Sequence, residues 1–378
     1  MIKKKQIRGP VQTTYCLGII AIALFFLGMS ETLTLTYYSN GIYPILSKFL
    51  RFIFGNIPFA VGDLFYFLLI LIGLWQFFLF LKKGIQHFRK KKPIQRNELF
   101  RVCLTFLNII LVSYISFKLL WGLNYSRPLI AKQLNISDEK YDVKSLVLLG
   151  NYFVDKVNDL RSKAKPEHKY NLTVLRQKAV TSYQNLALKH SFFYYQHTSV
   201  KPVSANWVIS KIGIEGYYNP LSGEANVNMQ LVPWVLPFVT CHEISHQLGV
   251  AREDEANLVA YLVGINSDDL NFQYSVNYNM LRYIIFELRF KSPTDYLALR
   301  NRLSPAVLAN FKAENEFWSR YNGNMSKYMG AAFDKFLKMN NQKRGIKSYQ
   351  NIVIWLWNYH KSEITIKSRG VQKTNSPI

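Results

Sequence analysis

The most informative stretch of the sequence is TCHEISHQLGVAREDEAN, residues 240–257. His242 and His246 lie four positions apart, and Glu243 directly follows the first histidine. Residues four apart share one face of an α-helix, so two imidazole nitrogens can reach a single metal ion. A carboxylate next to the first ligand can accept a proton from a metal-activated water. The spacing predicts a helix that carries a catalytic zinc site.

Residues on either side of the histidine pair predict where this helix begins and ends. Pro233 and Pro237 bracket its start, because proline is tolerated in the first turn of a helix. Gly249 suits its C-terminal cap, so the helix should span about residues 237–248. A second helix is expected to begin near Ala251.

A catalytic zinc ion usually takes three protein ligands, so a third ligand is needed after the histidines. Glu253, Asp254 and Glu255 follow, on different faces of the second predicted helix. Glu253 is favoured, since Ala256 three residues later would let the two helices approach closely. Asn257 can then hydrogen-bond a ligand histidine from outside the ligand set. Glu255 stays open as the alternative third ligand.

Glu253-x-x-Ala256-Asn257 after the histidine pair resembles the gluzincin arrangement, in which a glutamate on a second helix completes the zinc site. The resemblance implies a zinc metallopeptidase with His242, His246 and Glu253 as ligands of Zn²⁺ and Glu243 as the catalytic base. Two features depart from the gluzincin pattern. The gap between His246 and Glu253 is short, and Asn257 stands where aspartate is commoner.

The whole chain is also similar to an uncharacterised family of bacterial membrane proteins that carries a metallopeptidase motif. The likeness lies in its apolar N-terminal third and in the segment YYNPLSGEANVN, residues 217–228, before the histidine pair.

Three apolar runs, over residues 11–29, 64–81 and 102–123, approach the roughly 20 residues that a helix needs to cross a bilayer. They predict a membrane domain over residues 1–123 with three transmembrane helices. The strongly basic loop 82–101 is expected in the cytoplasm. The chain should therefore be a multi-pass protein of the bacterial cytoplasmic membrane whose C-terminal domain is extracytoplasmic.

The first apolar run also fits a cleavable signal peptide, because basic residues precede it, but no small-x-small cleavage site follows. The other two runs would hold the chain in the membrane in either case. Between the first two runs, SKFLRFIFGNIPF, residues 47–59, predicts an amphipathic segment on the outer interface, with Lys48 and Arg51 on its polar side.

A formal net charge of +24 raises the question of nucleic acid binding. The cationic clusters flank the apolar runs, where topology and anionic lipid headgroups account for them, and no nucleic-acid recognition motif is present. The expected partners are therefore the lipid bilayer and a peptide or protein substrate of the envelope. Of the three cysteines, Cys241 alone lies after the apolar runs, so no disulfide framework is expected there.

Residues 124–360 predict an α+β, mainly helical, metallopeptidase-like domain, followed by a basic flexible tail over residues 361–378. Helical spacing marks residues 145–159 and 172–190, and three later aromatic-rich segments. Strand signals run from Val208 through Ile212 and Ile214 to a turn at 219–223, which predicts a small hairpin. By analogy with gluzincins, the strand at 223–228 is expected to be the edge that pairs with a peptide substrate, or else part of an ordinary surface hairpin.

The leading functional hypothesis is a membrane-anchored zinc metallopeptidase that hydrolyses peptide bonds, with Tyr283 and Tyr349 as candidates for oxyanion stabilisation. The alternative from a different class is a non-catalytic metal-binding scaffold or sensor of the envelope. Intramembrane proteolysis fits poorly, because the apolar stretch before His242 is short and contains two prolines. A purely structural zinc site would have no need for Glu243 and would usually close with four protein ligands.

Overall fold

A computed structural model describes residues 2–89, 96–321, 323–340 and 351–374. Within these residues the protein is mainly helical, with one small three-stranded sheet. The α-helices, in chain order, are α1 (Ile2–Leu27), α2 (Glu31–Leu33), α3 (Tyr43–Phe54), α4 (Val61–Arg89), α5 (Arg96–Leu120), α6 (Ile130–Gln133), α7 (Val143–Lys163), α8 (Leu172–Ala187), α9 (Asn206–Lys211), α10 (Leu236–Gln247), α11 (Glu253–Ile265), α12 (Leu270–Lys291), α13 (Pro293–Asn301), α14 (Pro305–Ser319), α15 (Asn324–Met339) and α16 (Asn351–Thr374). The strands are β1 (Val200–Pro202), β2 (Gly216–Asn219) and β3 (Glu224–Val227).

Among the described residues, three helices are long and apolar enough to cross a membrane, as the sequence predicted. They comprise Gly9–Leu27 in α1, Val61–Gln86 in α4 and Arg96–Leu120, which is α5. Their side chains are mostly exposed rather than packed into the rest of the protein, which is typical of helices that face lipid. The third span ends at Leu120 rather than residue 123, because Gly122–Ser126 forms a buried 3₁₀ turn.

One end of each of these three helices contacts the folded body. Leu24 near the end of α1 and Trp121 just after α5 belong to one buried cluster, which also contains Tyr43 and Ala251. At the start of α4, the backbone of Val61 and its neighbour Gly62 donates hydrogen bonds to a carboxylate on β3. Elements on both sides of residue 123, the predicted domain boundary, therefore pack into a common core.

The sheet has the order β1-β3-β2, with β1 parallel and β2 antiparallel to β3. The predicted hairpin is confirmed as β2 and β3. The prediction that the 223–228 strand forms an edge is wrong, because β3 is the central strand and the hairpin's free edge belongs to β2. Val208 lies in the short helix α9, not in a strand. Its spacing of four from Ile212 is the helical period, which outweighed the β-branched side chains.

Helices α10 and α11 form the buried centre of the molecule. Every residue of α10 and all but the last residue of α11 are buried, and the pair packs against α8, α12, α16 and the sheet. The predicted limits of α10 hold to within one residue. Helix α11 begins two residues later than expected. The chain first turns after Gly249, where the Val250 N–H donates a hydrogen bond to the Ser245 carbonyl, and Arg252 is the residue that precedes the first turn of α11.

The C-terminal segment differs from the predicted tail. Helix α16 continues beyond residue 361 as far as Thr374. Lys361 pairs with Glu139 at 2.5 Å, and Ile364 is buried in the main core. These contacts attach the helix to the body after the point where polar composition suggested that order would end.

Candidate metal centre

Helix α10 presents the histidine pair because both of its ends are fixed. Pro237 occupies its first turn, and Gly249 after its end adopts a φ of 84°, which favours glycine. The last carbonyls of a helix lack partners within it. Here the side chains of Tyr43 and Trp121 donate to the His246 carbonyl at 3.0 and 3.3 Å, and Ser47 donates to that of Gln247 at 2.6 Å. Elements next to the apolar helices therefore hold the end of α10.

Three side chains converge at one point between α10 and α11. His242 Nε2 lies 3.2 Å from His246 Nε2 and 3.1 Å from Glu253 Oε2, and His246 Nε2 lies 3.7 Å from the same carboxylate oxygen. Donor atoms about 2.0–2.1 Å from a tetrahedral zinc ion are separated by roughly 3.3 Å. The observed separations are close to this value, so these side chains fit zinc as a three-ligand set.

The other ring nitrogen of each histidine is held by an acceptor. His246 Nδ1 lies 2.6 Å from the Val250 carbonyl, and His242 Nδ1 lies 2.9 Å from Asn257 Oδ1. Because a carbonyl oxygen can only accept, each Nδ1 carries the proton and each neutral ring turns an Nε2 lone pair toward the other. Two lone pairs and a carboxylate oxygen then face one another. This arrangement is stable only if positive charge, from a proton or a metal ion, lies among them.

The electrostatics of the three groups agree with that requirement. Burial alone would raise the pKa of Glu253, but the two histidines outweigh it and hold the pKa of this carboxyl below its usual range. Burial lowers the pKa of His242. It opposes protonation of His246 too, yet the carboxylates of Glu253 and Glu243 raise the pKa of that ring. A bound cation would take over the role of the shared proton.

The neighbouring acidic residues of α11 point elsewhere. Glu255 accepts a hydrogen bond from the Ile130 backbone, and Asp254 accepts one from Asn351 at 2.8 Å. Both are buried, and neither has a hydrogen bond or ion pair with the histidines, although Glu255 Oε2, like Glu243 Oε2, lacks a donor among the described residues. Of the two carboxylates weighed from the sequence, Glu253 is therefore the one that the structure brings to the histidine pair.

Glu243 is buried beside this point with an unsatisfied carboxylate. The residue is 3% exposed, and no donor in the described part of the chain reaches its Oε2. Burial raises the pKa of Glu243 to about 8. Gly216 on β2 faces it so closely that an added Cβ would lie 2.7 Å from Glu243 Oε1. An orphaned buried carboxylate next to a ligand set is the arrangement that a base acting on a water molecule needs.

Several residues near the candidate metal centre could not be predicted from the sequence. Gly216, Tyr43 and Trp121 lie far from the motif along the chain, and the sequence carries no spacing signal that links them to it. The Trp121 and His246 rings lie edge to face, with centroids 5.7 Å apart. Of the two tyrosines weighed for the oxyanion, Tyr283 accepts a hydrogen bond from the Asn257 amide at 3.1 Å, whereas position 349 lies outside the described residues.

Comparison with known proteins gives one match. Residues 38–357 match the family described as "Protein of unknown function (DUF3810)", a range that includes α4, α5 and the whole candidate centre. No curated protein and no solved structure matches the chain. Because the matched range covers well over half of the sequence, the chain belongs to the DUF3810 family.

Proposed function

We propose that this protein is a membrane-anchored zinc metallopeptidase that hydrolyses peptide bonds on the extracytoplasmic side of a bacterial cytoplasmic membrane. The observation that carries the proposal is the convergence of two histidine lone pairs and the Glu253 carboxylate beside the unpartnered carboxylate of Glu243. Ligands alone would suit a metal-binding scaffold. Other buried glutamates, such as Glu255, also have an oxygen without a donor, but Glu243 directly follows a candidate ligand, and a free carboxylate oxygen at that position favours an enzyme.

Each residue has a separate task in this proposal. His242, His246 and Glu253 would hold the metal, and Asn257 fixes the His242 ring through its 2.9 Å contact with Nδ1. When bound, zinc would lower the pKa of a coordinated water and polarise the carbonyl of the substrate. Glu243 accepts the proton of the attacking water and delivers it to the departing amine.

The free edge of β2 is the best place for a peptide substrate. The Asn228 N–H donates a hydrogen bond to the Glu215 carbonyl, and the Gly223 N–H donates one to the Asn219 carbonyl. The backbone carbonyls of residues 215 and 219 are therefore directed toward β3. In an antiparallel pair such residues alternate, which directs the backbone groups of Gly216 and Tyr218 outward. A peptide added as a further strand would pass directly beside Glu243.

The test is the metal content of the purified full-length protein, stripped with a chelator, reloaded with zinc, desalted and measured by mass spectrometry. The matched variants are Glu253→Gln and Glu255→Gln, since Glu255→Gln keeps an acceptor for the Ile130 backbone. We expect about one zinc ion per chain in the wild type and in Glu255→Gln, and loss of zinc in Glu253→Gln.

Two results would contradict the proposal. Absence of stoichiometric zinc from the wild type would remove the metal centre. Zinc binding with no peptide hydrolysis by the wild type, across a diverse peptide pool, would favour a non-catalytic scaffold.

A further inference from the structure

Helix α3 has its polar side chains turned toward the protein. Tyr43, Ser47 and Arg51, each four residues apart, form its buried face. Tyr43 and Ser47 bond the last carbonyls of α10, and the Arg51 guanidinium lies over the Tyr195 ring at 4.8 Å. The sequence predicted Lys48 and Arg51 together on the polar side of this segment. Arg51 does lie on the polar face, which is buried against the protein, whereas Lys48 is exposed.

The opposite face of α3 is apolar and uncovered. Ile45 is 72% exposed, Phe49 58% and Phe52 63%, and Ile53 continues the same face. Lys48 lies at the border of this face and is exposed. A helix in water places its apolar face inward and its polar face outward. Helix α3 does the reverse, which is the pattern of a helix whose outer surroundings are apolar.

The exposed face of α3 is continuous with the surface of a membrane-spanning helix. Only residues 55–60 separate α3 from α4 along the chain. The rings of Phe54 on α3 and Phe65 on α4 pack edge to face, with centroids 5.6 Å apart. The apolar, unburied α4 is long enough to cross a membrane, and lipid would cover it there. The same medium reaches the adjoining face of α3.

We infer that α3 lies in the surface layer of the bilayer, with the face formed by Ile45, Phe49 and Phe52 in the hydrocarbon and Lys48 reaching the headgroups. With 12 residues, α3 is about 18 Å long and too short to span a bilayer. The exposed face of α3 is therefore covered by the lipid leaflet next to the folded body.

This position of α3 would place the candidate metal centre close to the membrane surface. Tyr43 on α3 bonds the His246 carbonyl at 3.0 Å, and Trp121, the residue after the end of α5, contacts the His246 ring. Both side chains belong to elements at the bilayer surface. If the proposed peptidase function holds, the bonds within reach are those close to the membrane surface, in juxtamembrane segments of membrane-anchored proteins.

The position of α3 can be measured without reference to metal or catalysis. The full chain, with Cys16, Cys103 and Cys241 replaced, receives single cysteines by Ile45→Cys, Phe49→Cys or Phe52→Cys, and Lys312→Cys serves as a water-exposed control. Each variant is nitroxide-labelled in phosphatidylcholine and phosphatidylglycerol vesicles, and its accessibility to oxygen and to a polar nickel chelate is compared by power saturation.

We expect the oxygen-to-nickel accessibility ratio at the three α3 positions to be at least about threefold that of Lys312→Cys, because oxygen enters hydrocarbon and the chelate does not. A ratio equal to that of the control would place the face in water. Protection from both reagents would mean that a protein, such as a second copy of the chain, covers it. Either result overturns the inference.

The substrate class is tested by mapping new protein N-termini in cells that express the wild type or Glu243→Gln. Cuts that depend on Glu243 and cluster within juxtamembrane segments are expected. Glu243-dependent cuts far from any membrane segment would overturn the substrate class alone. Absence of Glu243-dependent cuts would contradict the peptidase proposal and leave the labelling result for α3 standing.

Discussion

Two buried carboxylates on neighbouring elements have opposite surroundings. Glu224 on β3 accepts hydrogen bonds from the backbone of Val61 at 3.1 Å, the backbone of Gly62 at 2.8 Å and the Ser222 hydroxyl at 2.8 Å. Glu243 on α10 is almost as deeply buried, and no donor among the described residues reaches its Oε2. One carboxylate is satisfied by the protein and the other is not.

The difference agrees with a structural role for Glu224 and with the catalytic role proposed for Glu243. A buried carboxylate with several donors stabilises the fold, and Glu224 also lies at the positive N-terminal end of α4. A buried carboxylate without donors costs stability, typically about 1–3 kcal/mol or more. Under the proposed function, Glu243 is kept free for chemistry despite that cost, so the comparison predicts opposite responses to the same Glu→Gln change.

The largest expected effect is on catalysis by Glu243→Gln. Removing the base should lower peptide hydrolysis about 10²–10⁴-fold. Zinc content should not change, and the thermal midpoint should stay near that of the wild type, because glutamine has the shape of the buried carboxyl whose Oε2 no described donor reaches. Activity, zinc content and thermal unfolding measured on the same preparation check all three. Full activity in this variant would mean that Glu243 is not the base.

Glu224→Gln should show the reverse pattern. Loss of the charge that bonds the start of α4 should destabilise the protein by about 1.5–3 kcal/mol, the usual contribution of hydrogen bonds to charged groups. Thermal unfolding in detergent measures the loss. The control is Glu316→Gln at an exposed position, which should leave the midpoint unchanged. A Glu224 variant as stable as the wild type would abolish the contrast between the two carboxylates.

Asn257→Ala tests the hydrogen bond that holds the His242 ring in the candidate metal centre. Loss of the acceptor for His242 Nδ1 should weaken zinc binding about 10–100-fold, as is usual for groups that orient a ligand. Asn257→Asp should retain affinity, because a carboxylate also accepts this hydrogen bond. Competition with a chromophoric chelator measures both. Equal losses in the two variants would point to packing rather than to the hydrogen bond.

The smallest effect is expected from Gly216→Ala. An added Cβ would lie 2.7 Å from Glu243 Oε1 and 2.8 Å from the Asn226 carbonyl, so the base must move. Peptide hydrolysis should fall roughly tenfold while zinc is retained. Gly73→Ala is the control, because open space surrounds that position. Unchanged hydrolysis in Gly216→Ala would show that the position of Glu243 tolerates the shift.

Local patterns in the sequence predicted the helical elements well. The three apolar helices, α7, α8 and the limits of α10 follow from composition, period and capping residues, which act over one or two helical turns. The strand order was not predictable in this way. Central and edge strands differ in their neighbours across space, so the pattern in β3 does not show that β1 pairs with its other side.

The local sequence was enough to predict that the side chains of His242, Glu243 and His246 lie close together, because all three belong to one helix and the helical period fixes their spacing. Only the tertiary structure decided between Glu253 and Glu255, since the packing of α11 against α10 turns one carboxylate to the histidines and the other to Ile130. It also decided that Arg51 is buried and that Ile45 and Phe49 face outward. The amphipathic pattern of α3 separates two faces, but only the packed neighbours show which face meets protein and which is left for lipid.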